Sequence, residues 1–307
     1  MPRPARLARM AHLPIAAALL CAGGAAQAGL PTFCERPREI TAREQDRVLR
    51  FAGAVKAELE RSGQRVALIA RAGVDLERFG LLYSHAGVAL RDNPGSPWGV
   101  RQLYYACEES RPRLFDQGIS GFALGADAPG HGHVSLLFLP DEHSALLERA
   151  ALDRPLALSL LAGQYSANAY AFGTRYQNCN QWVAELLASA WGRLAGGAQA
   201  REQSQAWLRA HGYAAGPVRI PSHLMMFAGQ FVPLVHVDDH PVEDIHALAL
   251  QVSIPDAIKG FARQQVPQAR HVELCHDTQR IVVRRDGPPL GAECRAIAGD
   301  EVIDLAS

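Results

Sequence analysis

A polar loop that ends at a cysteine, followed at once by an apolar-periodic helix, is the feature that most constrains this chain. The segment from Tyr176 to Val183 reads YQNCNQWV and continues as AELLASAW to Trp191. Asn178 is a favourable N-cap residue. The apolar residues that follow recur at helical spacing: Val183, Leu186, Leu187 and Ala190. Cys179 is therefore expected in the first helical turn, where unpaired N–H groups and the positive end of the helix dipole favour a thiolate. The competing interpretation is a small buried hydrophobe, the commoner fate of a lone cysteine.

The first 28 residues have the pattern of a secretory signal. Arg3, Arg6 and Arg9 precede an apolar stretch from Leu13 to Cys21, and small residues then lead to Ala28. The pattern predicts an exported protein, periplasmic or secreted. An uncleaved anchor is the alternative, but the apolar stretch is too short to span a bilayer. No transmembrane segment is expected after signal cleavage.

The charge balance, 31 basic against 31 acidic residues, gives no indication of nucleic-acid binding. The length of 307 residues suits one large domain or two smaller ones. We predict a signal peptide over 1–28, a main domain over 29–195, and a C-terminal extension over 196–307 that packs on the domain or completes it. The oligomeric state stays open.

Export makes the cysteines informative, because disulfides persist in oxidising compartments. Beyond the leader the chain carries an odd number: Cys34, Cys107, Cys179, Cys275 and Cys294. Cys275 and Cys294 flank two strand-like runs joined by a turn, which predicts a disulfide across a hairpin. Cys34 with Cys107 is a second candidate pair. Both pairings leave Cys179 as the unpaired thiol, either buried or kept for chemistry.

The hydrophobic pattern favours an α+β protein, with helices gathered around an antiparallel sheet. Strand-like runs occupy 65–71, 81–90, 98–107, 133–139, 231–237 and 248–254. Helical patterns follow the capping box that opens at Thr41 and the start signal at Pro140, and recur at 156–162, 205–211 and 255–263.

A cysteine nucleophile needs a base, usually histidine, and a polar group that orients the histidine. His85 is the best candidate, because its small strand neighbours allow another element to approach closely. A hydrogen-bonded strand histidine without a catalytic role is the alternative. The orienting group is expected on the next strand, where Gln102 is our choice and Tyr104, of the same strand parity, the substitute. An amide can accept from one ring nitrogen and so fix the tautomer. Gln102 as an ordinary solvent-facing residue is the competing interpretation.

These motifs resemble a known family. Asn178 to Val183, NCNQWV, is similar to the Asn-Cys-x-x-Phe-Val signature of lecithin:retinol-acyltransferase-like proteins, which belong to the circularly permuted NlpC-type papain-like hydrolases. Tyr83 to Leu90 looks like the histidine strand of that group, which precedes the cysteine helix. The resemblance covers Val66 to Trp191, and YQNCNQWV also resembles a motif of an uncharacterised bacterial family. Many permuted members have a second histidine or an acid at the third position, where this chain has Gln102 or Tyr104.

The resemblance implies a permuted papain-like fold and acyl transfer from an amide or ester, with a Cys179 thiolate as nucleophile and His85 as base. The oxyanion would be bound by the Cys179 backbone N–H and by a side-chain amide, from Asn178 or Gln177. Cell-envelope peptides and acyl lipids are the expected substrates, and no cofactor is expected. The alternative function is a non-catalytic envelope-binding module in which Cys179 is structural or redox-sensitive.

Two histidine-containing motifs suggest a metal site weakly. His131 and His133 share a strand face, and Asp238 to His246 is rich in acids and histidines. Neither has a recognised ligand spacing, so no metal is predicted. No serine lies in a Gly-x-Ser-x-Gly context, which disfavours a serine hydrolase.

Overall fold

A computed structural model describes residues 39–74, 76–124 and 130–305. The predicted signal peptide and Cys34 lie outside the described residues. Within that part of the chain, no helix combines the length and the apolar character needed to cross a membrane.

The described chain contains both helices and strands. The helices are α1 (Ala42–Arg61), α2 (Ile119–Leu124), α3 (Asp141–Leu152), α4 (Arg154–Ser159), α5 (Cys179–Gly192), α6 (Ala200–Ala210), α7 (His223–Gly229), α8 (Val242–His246) and α9 (Pro255–Gln265). The strands are β1 (Val66–Arg71), β2 (His85–Leu90), β3 (Gly99–Ala106), β4 (Arg111–Gln117), β5 (Gly132–Phe138), β6 (Gly216–Arg219), β7 (Ala249–Val252), β8 (Arg270–His276), β9 (Arg280–Arg285) and β10 (Glu301–Asp304).

The described strands form one eight-stranded sheet in the order β10-β9-β8-β5-β1-β2-β3-β4 and a small sheet of β6 and β7. Every strand pairing in these sheets is antiparallel. The α+β class predicted from the sequence is therefore confirmed. The last three strands join the large sheet through the β5–β8 pairing, so residues from the C-terminal extension complete the sheet.

Successive side chains of a strand point to opposite faces, and both faces of the large sheet are covered. On β2, Ala86, Val88 and Leu90 pack with helix α5. The opposite face packs against α1 and α2, and Ala89 belongs to that second core. His85 has the parity of Ala89 and lies near Phe122 of α2. The α5 face and the α1/α2 face of the sheet are thus distinct environments.

Helix α5 is the central helix of its layer. Trp182, Val183, Leu186 and Leu187 have no exposed surface. Burial of each such side chain contributes roughly 1.5–3 kcal/mol. A helix that is buried on all sides has a fixed position, and α5 therefore holds its N-terminus, with Cys179, at a defined place on the sheet.

Three sequence-based assignments were wrong in detail. Strand β2 begins at His85, not at residue 81. Residues 231–237 form turns and irregular chain instead of a strand, because Pro233 lacks the N–H that a strand ladder needs. Strand β4 was missed. It is a sheet edge with the sequence RPRLFDQ, and half-solvated edge strands lack a clear apolar run.

Candidate active site

Asn178 caps helix α5, as predicted. Its Oδ1 accepts the Gln181 backbone N–H at 2.7 Å. Its Nδ2 donates to the carbonyls of Ala167 at 3.3 Å and Ser253 at 3.2 Å. Cys179 is accordingly the first residue of the helix, so its backbone N–H belongs to the turn that lacks intrahelical partners.

The side-chain amides of Asn178 and Gln177, which the sequence analysis offered as oxyanion donors, are both engaged within the protein. Gln177 is fully buried. Its Oε1 accepts from the Ala162 N–H at 3.0 Å, and its Nε2 donates to Leu160 O at 2.8 Å and to Glu185 Oε2 at 2.7 Å. These two amides shape the turn before Cys179 and leave the Cys179 N–H as the remaining predicted donor.

A buried ion pair also stabilises the turn before Cys179. Glu185 of α5 accepts from Arg201 Nε at 2.9 Å and from Gln205 Nε2 at 2.9 Å. Arg201 also donates to the carbonyls of Thr174 and Tyr176, at 2.5 Å and 3.1 Å. Desolvation raises the pKa of Glu185, and Arg201 opposes that shift. Hydrogen bonds from buried charged and amide side chains therefore hold the loop that leads to Cys179 against α5 and α6.

His85 and Gln102 are joined as the sequence analysis expected. His85 Nε2 lies 2.6 Å from Gln102 Oε1. Gln102 Nε2 donates to Gln117 Oε1 at 2.7 Å, which sets the orientation of the amide. With Oε1 as acceptor, Nε2 carries the proton, and Nδ1 is left as the basic nitrogen. Tyr104, the substitute, lies beside the His85 ring with centroids 5.3 Å apart, and its hydroxyl accepts from Arg71.

The Cys179 thiol lies where strands β2 and β3 separate. Their pairing runs from Leu90 and Gly99 to Val88 and Arg101 and ends there. The Ala86 N–H lies beyond the last pair, and it hydrogen bonds to the sulfur. The thiol donates to Asn180 Oδ1 at 3.6 Å, while Asn180 Nδ2 donates to Ser84 O at 3.2 Å.

Cys179 and His85 approach this separation from opposite faces of the sheet. Cys179 belongs to the core on the α5 face, whereas His85 contacts Phe122 on the α1/α2 face. Among the described hydrogen bonds, the thiol engages Asn180 and does not engage the His85 ring. The Cys179 sulfur is hydrogen-bonded to the Ala86 N–H near the start of β2, and His85 is itself the first residue of that strand.

Burial keeps both groups neutral. Desolvation lowers the pKa of His85 to about 3, with a further lowering by Arg71 and an opposing hydrogen bond to Gln102. Desolvation raises the pKa of Cys179 to about 11, against opposing effects of Arg71 and of the backbone N–H groups of Ala86, Asn180 and Cys179. The resting pair is a thiol and an imidazole, so any nucleophilic step has to begin with proton transfer.

The predicted disulfide between Cys275 and Cys294 is present and ties β8 to the segment after β9. Cys107 is disulfide-bonded as well, and Cys34, its suggested partner, lies outside the described residues. Among the described cysteines, Cys179 is the free one.

The histidine-rich motifs are engaged in local contacts. His133 Nε2 faces the Gly291 carbonyl at 3.1 Å, and His240 Nε2 faces Asn168 O at 2.7 Å. Within the described residues, no group of three histidines, cysteines or acids has the arrangement of a metal site.

Four contributors to the site were missed by sequence reasoning: Arg71, the Ala86 N–H, Gln117 and Asn180. Arg71 is the register partner of His85 on β1, and Gln117 lies on the undetected edge strand. Their roles depend on strand order and register. Asn180 is the exception, because its position beside Cys179 in the motif was a signal.

Comparison with known proteins gives one match. A family model described as "Uncharacterized protein conserved in bacteria (DUF2145)" matches residues 58–262, from the end of α1 to α9. Neither curated proteins nor solved structures gave a match. The matched segment is more than half of the chain and contains Arg71, His85, Gln102 and Cys179. The chain therefore belongs to the bacterial family DUF2145.

Proposed function

We propose that this protein is an exported cysteine hydrolase or acyltransferase of permuted papain-like type, in which Cys179 attacks an amide or ester and His85 is the base. The observation that carries the proposal is the hydrogen bond between His85 Nε2 and Gln102 Oε1. It leaves Nδ1 as the basic nitrogen of His85, while Cys179 is a free thiol in the first turn of α5. Cell-envelope peptides and acyl lipids are the proposed substrates.

The chemistry starts from the neutral pair. In the proposed reaction the Cys179 thiol leaves Asn180, and His85 Nδ1 takes its proton as the sulfur attacks the carbonyl carbon. The imidazolium then gives its proton to the departing amine or alcohol, leaving an acyl-enzyme. Water, or an acceptor alcohol or amine, completes the cycle with His85 again as base.

Charge that develops on sulfur and oxygen has donors nearby. The N–H groups of Cys179, Asn180 and Ala86 stabilise a thiolate, and Arg71 adds a buried positive charge. Preorganised donors of this kind are most effective where water is excluded. The Cys179 N–H and the Ala86 N–H are the proposed oxyanion donors.

A specific observation also favours the second candidate, a binding module with a structural cysteine. The thiol is 7% exposed and its hydrogen bond goes to Asn180, with the His85 ring engaged by Gln102 instead. A buried neutral thiol of this kind needs no catalytic role.

Alkylation of Cys179 by iodoacetamide, followed by peptide mass spectrometry between pH 5 and 9, separates the two functions. The hydrolase predicts that His85→Ala lowers the alkylation rate of Cys179 in the folded protein about tenfold or more, because the imidazole takes the thiol proton as the sulfur attacks. His246→Ala, at an exposed histidine on α8, is the matched control and leaves the rate unchanged. An unchanged alkylation rate in His85→Ala would establish the structural cysteine.

A further inference from the structure

We propose that Tyr104 and Phe115 form the subsite for the leaving group, and that this leaving group carries a planar or apolar portion. We call this pair the aromatic ledge. The inference rests on the proposed hydrolase and adds the side of the site on which each half of the substrate lies.

The aromatic ledge adjoins the proposed base. The cross-strand pairs Gln102–Phe115 and Tyr104–Arg113 place Phe115 directly opposite Gln102 and on the same face as Tyr104. The Tyr104 ring centroid lies 5.3 Å from that of His85 and 6.4 Å from that of Phe115. A group departing from the carbonyl beside His85 would therefore meet Tyr104 first and Phe115 next.

The ledge is both exposed and held in place. Tyr104 is 39% exposed and Phe115 is 45% exposed. The Tyr104 hydroxyl accepts from Arg71 Nη2 at 3.1 Å, which fixes the ring against His85. Val100, which lies on the same face of β3 as Tyr104, is covered by the α1/α2 core. The aromatic surface is thus exposed beside the proposed base.

The two halves of the substrate are expected on opposite faces of the sheet. The acyl half becomes bonded to Cys179 Sγ and stays on the α5 face, where Tyr165 and Tyr105 lie with centroids 5.5 Å apart. The leaving atom has to receive its proton from His85, which belongs to the opposite face. The leaving half therefore crosses to the α1/α2 face, and the aromatic ledge is the apolar surface that receives it there.

Thioesters that vary one half at a time test this assignment. The two probes S-phenyl thioacetate and S-methyl thioacetate differ in the leaving group, and S-methyl thiohexanoate varies the acyl group. Phe115→Ala should lower kcat/KM for S-phenyl thioacetate about fivefold, the value of one aromatic pair, and leave both S-methyl thioesters within about twofold. Leu158→Ala is the matched control, because Leu158 is also 45% exposed but lies on α4.

The outcomes separate the two proposals. Turnover that depends on Cys179 but shows no greater loss for the S-phenyl probe in Phe115→Ala overturns the aromatic ledge alone. A larger loss for S-methyl thiohexanoate than for S-phenyl thioacetate would also overturn it, since the ledge would then serve the acyl half. Equal turnover by the wild type and Cys179→Ala overturns the hydrolase and the ledge together.

Discussion

The buried imidazole of His85 has a neutral orienting partner and a nearby positive charge. Gln102 fixes the tautomer through one hydrogen bond, but an amide stabilises imidazolium less than a carboxylate does. Arg71 disfavours imidazolium further, and it opposes the desolvation that raises the pKa of Cys179. The positive charge of Arg71 therefore favours a negative charge on the sulfur but disfavours a protonated His85. A stable thiolate–imidazolium pair is not expected, and the proposed proton transfer takes place during the reaction itself.

A carboxylate in place of Gln102 should shift this balance. We expect Gln102→Glu to raise the pKa of His85 by roughly 1–3 units, because an opposite charge at hydrogen-bond distance favours the protonated ring. The C–H resonances of His85, followed by NMR titration, measure that pKa directly. Gln102→Met, which is similar in length and neutral, is the control and should leave the pKa low. An unchanged His85 titration in Gln102→Glu would show that burial and Arg71 outweigh the new charge.

At the scale of single residues, the sequence predicted the Asn178 cap and the contact between His85 and Gln102. These features depend on local sequence. The role of Gln177 could not be predicted, because it accepts from the Ala162 N–H and donates to Leu160 O and Glu185 Oε2, which lie elsewhere in the chain. Arg71 escaped for the same reason, since only the register between β1 and β2 places it opposite His85.

Among the elements, α5 and α6 are held together by a charge pair in the protein interior. Glu185 is fully buried and Arg201 is 6% exposed. Such pairs seldom add much stability over apolar residues, but loss of one partner leaves an uncompensated charge. Arg201 also holds the carbonyls of the loop before Cys179. The pair therefore positions the start of α5 as well as joining two helices.

Removal of one partner should cost far more than removal of both. We expect Arg201→Met to lower the free energy of unfolding by roughly 3–5 kcal/mol, because Glu185 is then buried without a cation. The double variant Glu185→Leu/Arg201→Met should recover most of that loss, as measured by urea unfolding at pH 7.5. A double variant as unstable as the single one would mean that the loop contacts of Arg201, and not its charge, dominate.

The elements with clear periodicity were predicted and the polar ones were not. Strands β1 and β5 are buried runs and β3 is mostly buried up to Leu103, and the predicted bounds of all three agree with the structure to within one or two residues. Edge strand β4 and the short helices α7 and α8 carry mixed patterns. The order of strands in the sheet was beyond sequence reasoning, because β5 pairs with β1 and β8 across long stretches of chain.

Across the whole molecule, the large sheet buries several histidines in neutral form. Burial lowers the pKa of His85 to about 3 and that of His276 to about 4. His271 is shifted in the same direction by burial and by Lys259. His85 lies on β2, whereas His271 and His276 lie on β8, which is separated from β2 in the sheet by β5 and β1. Protonation of any of these histidines therefore destabilises the folded state of the same sheet.

The protein should therefore lose stability in mild acid, before its carboxylates titrate. Between about pH 6.5 and pH 4 the unfolded chain binds protons at these histidines and the folded chain does not, so stability is complete above pH 6.5 and falls as the pH is lowered. From pH 7.5 to pH 5 each such histidine contributes a loss of roughly 2 kcal/mol. Urea unfolding at the two pH values measures the sum. His276→Gln removes one titrating group beside Phe51 and should reduce the pH dependence by its share, whereas exposed His246→Gln should not. A urea midpoint that is equal at pH 7.5 and pH 5 would contradict the buried neutral state of these rings.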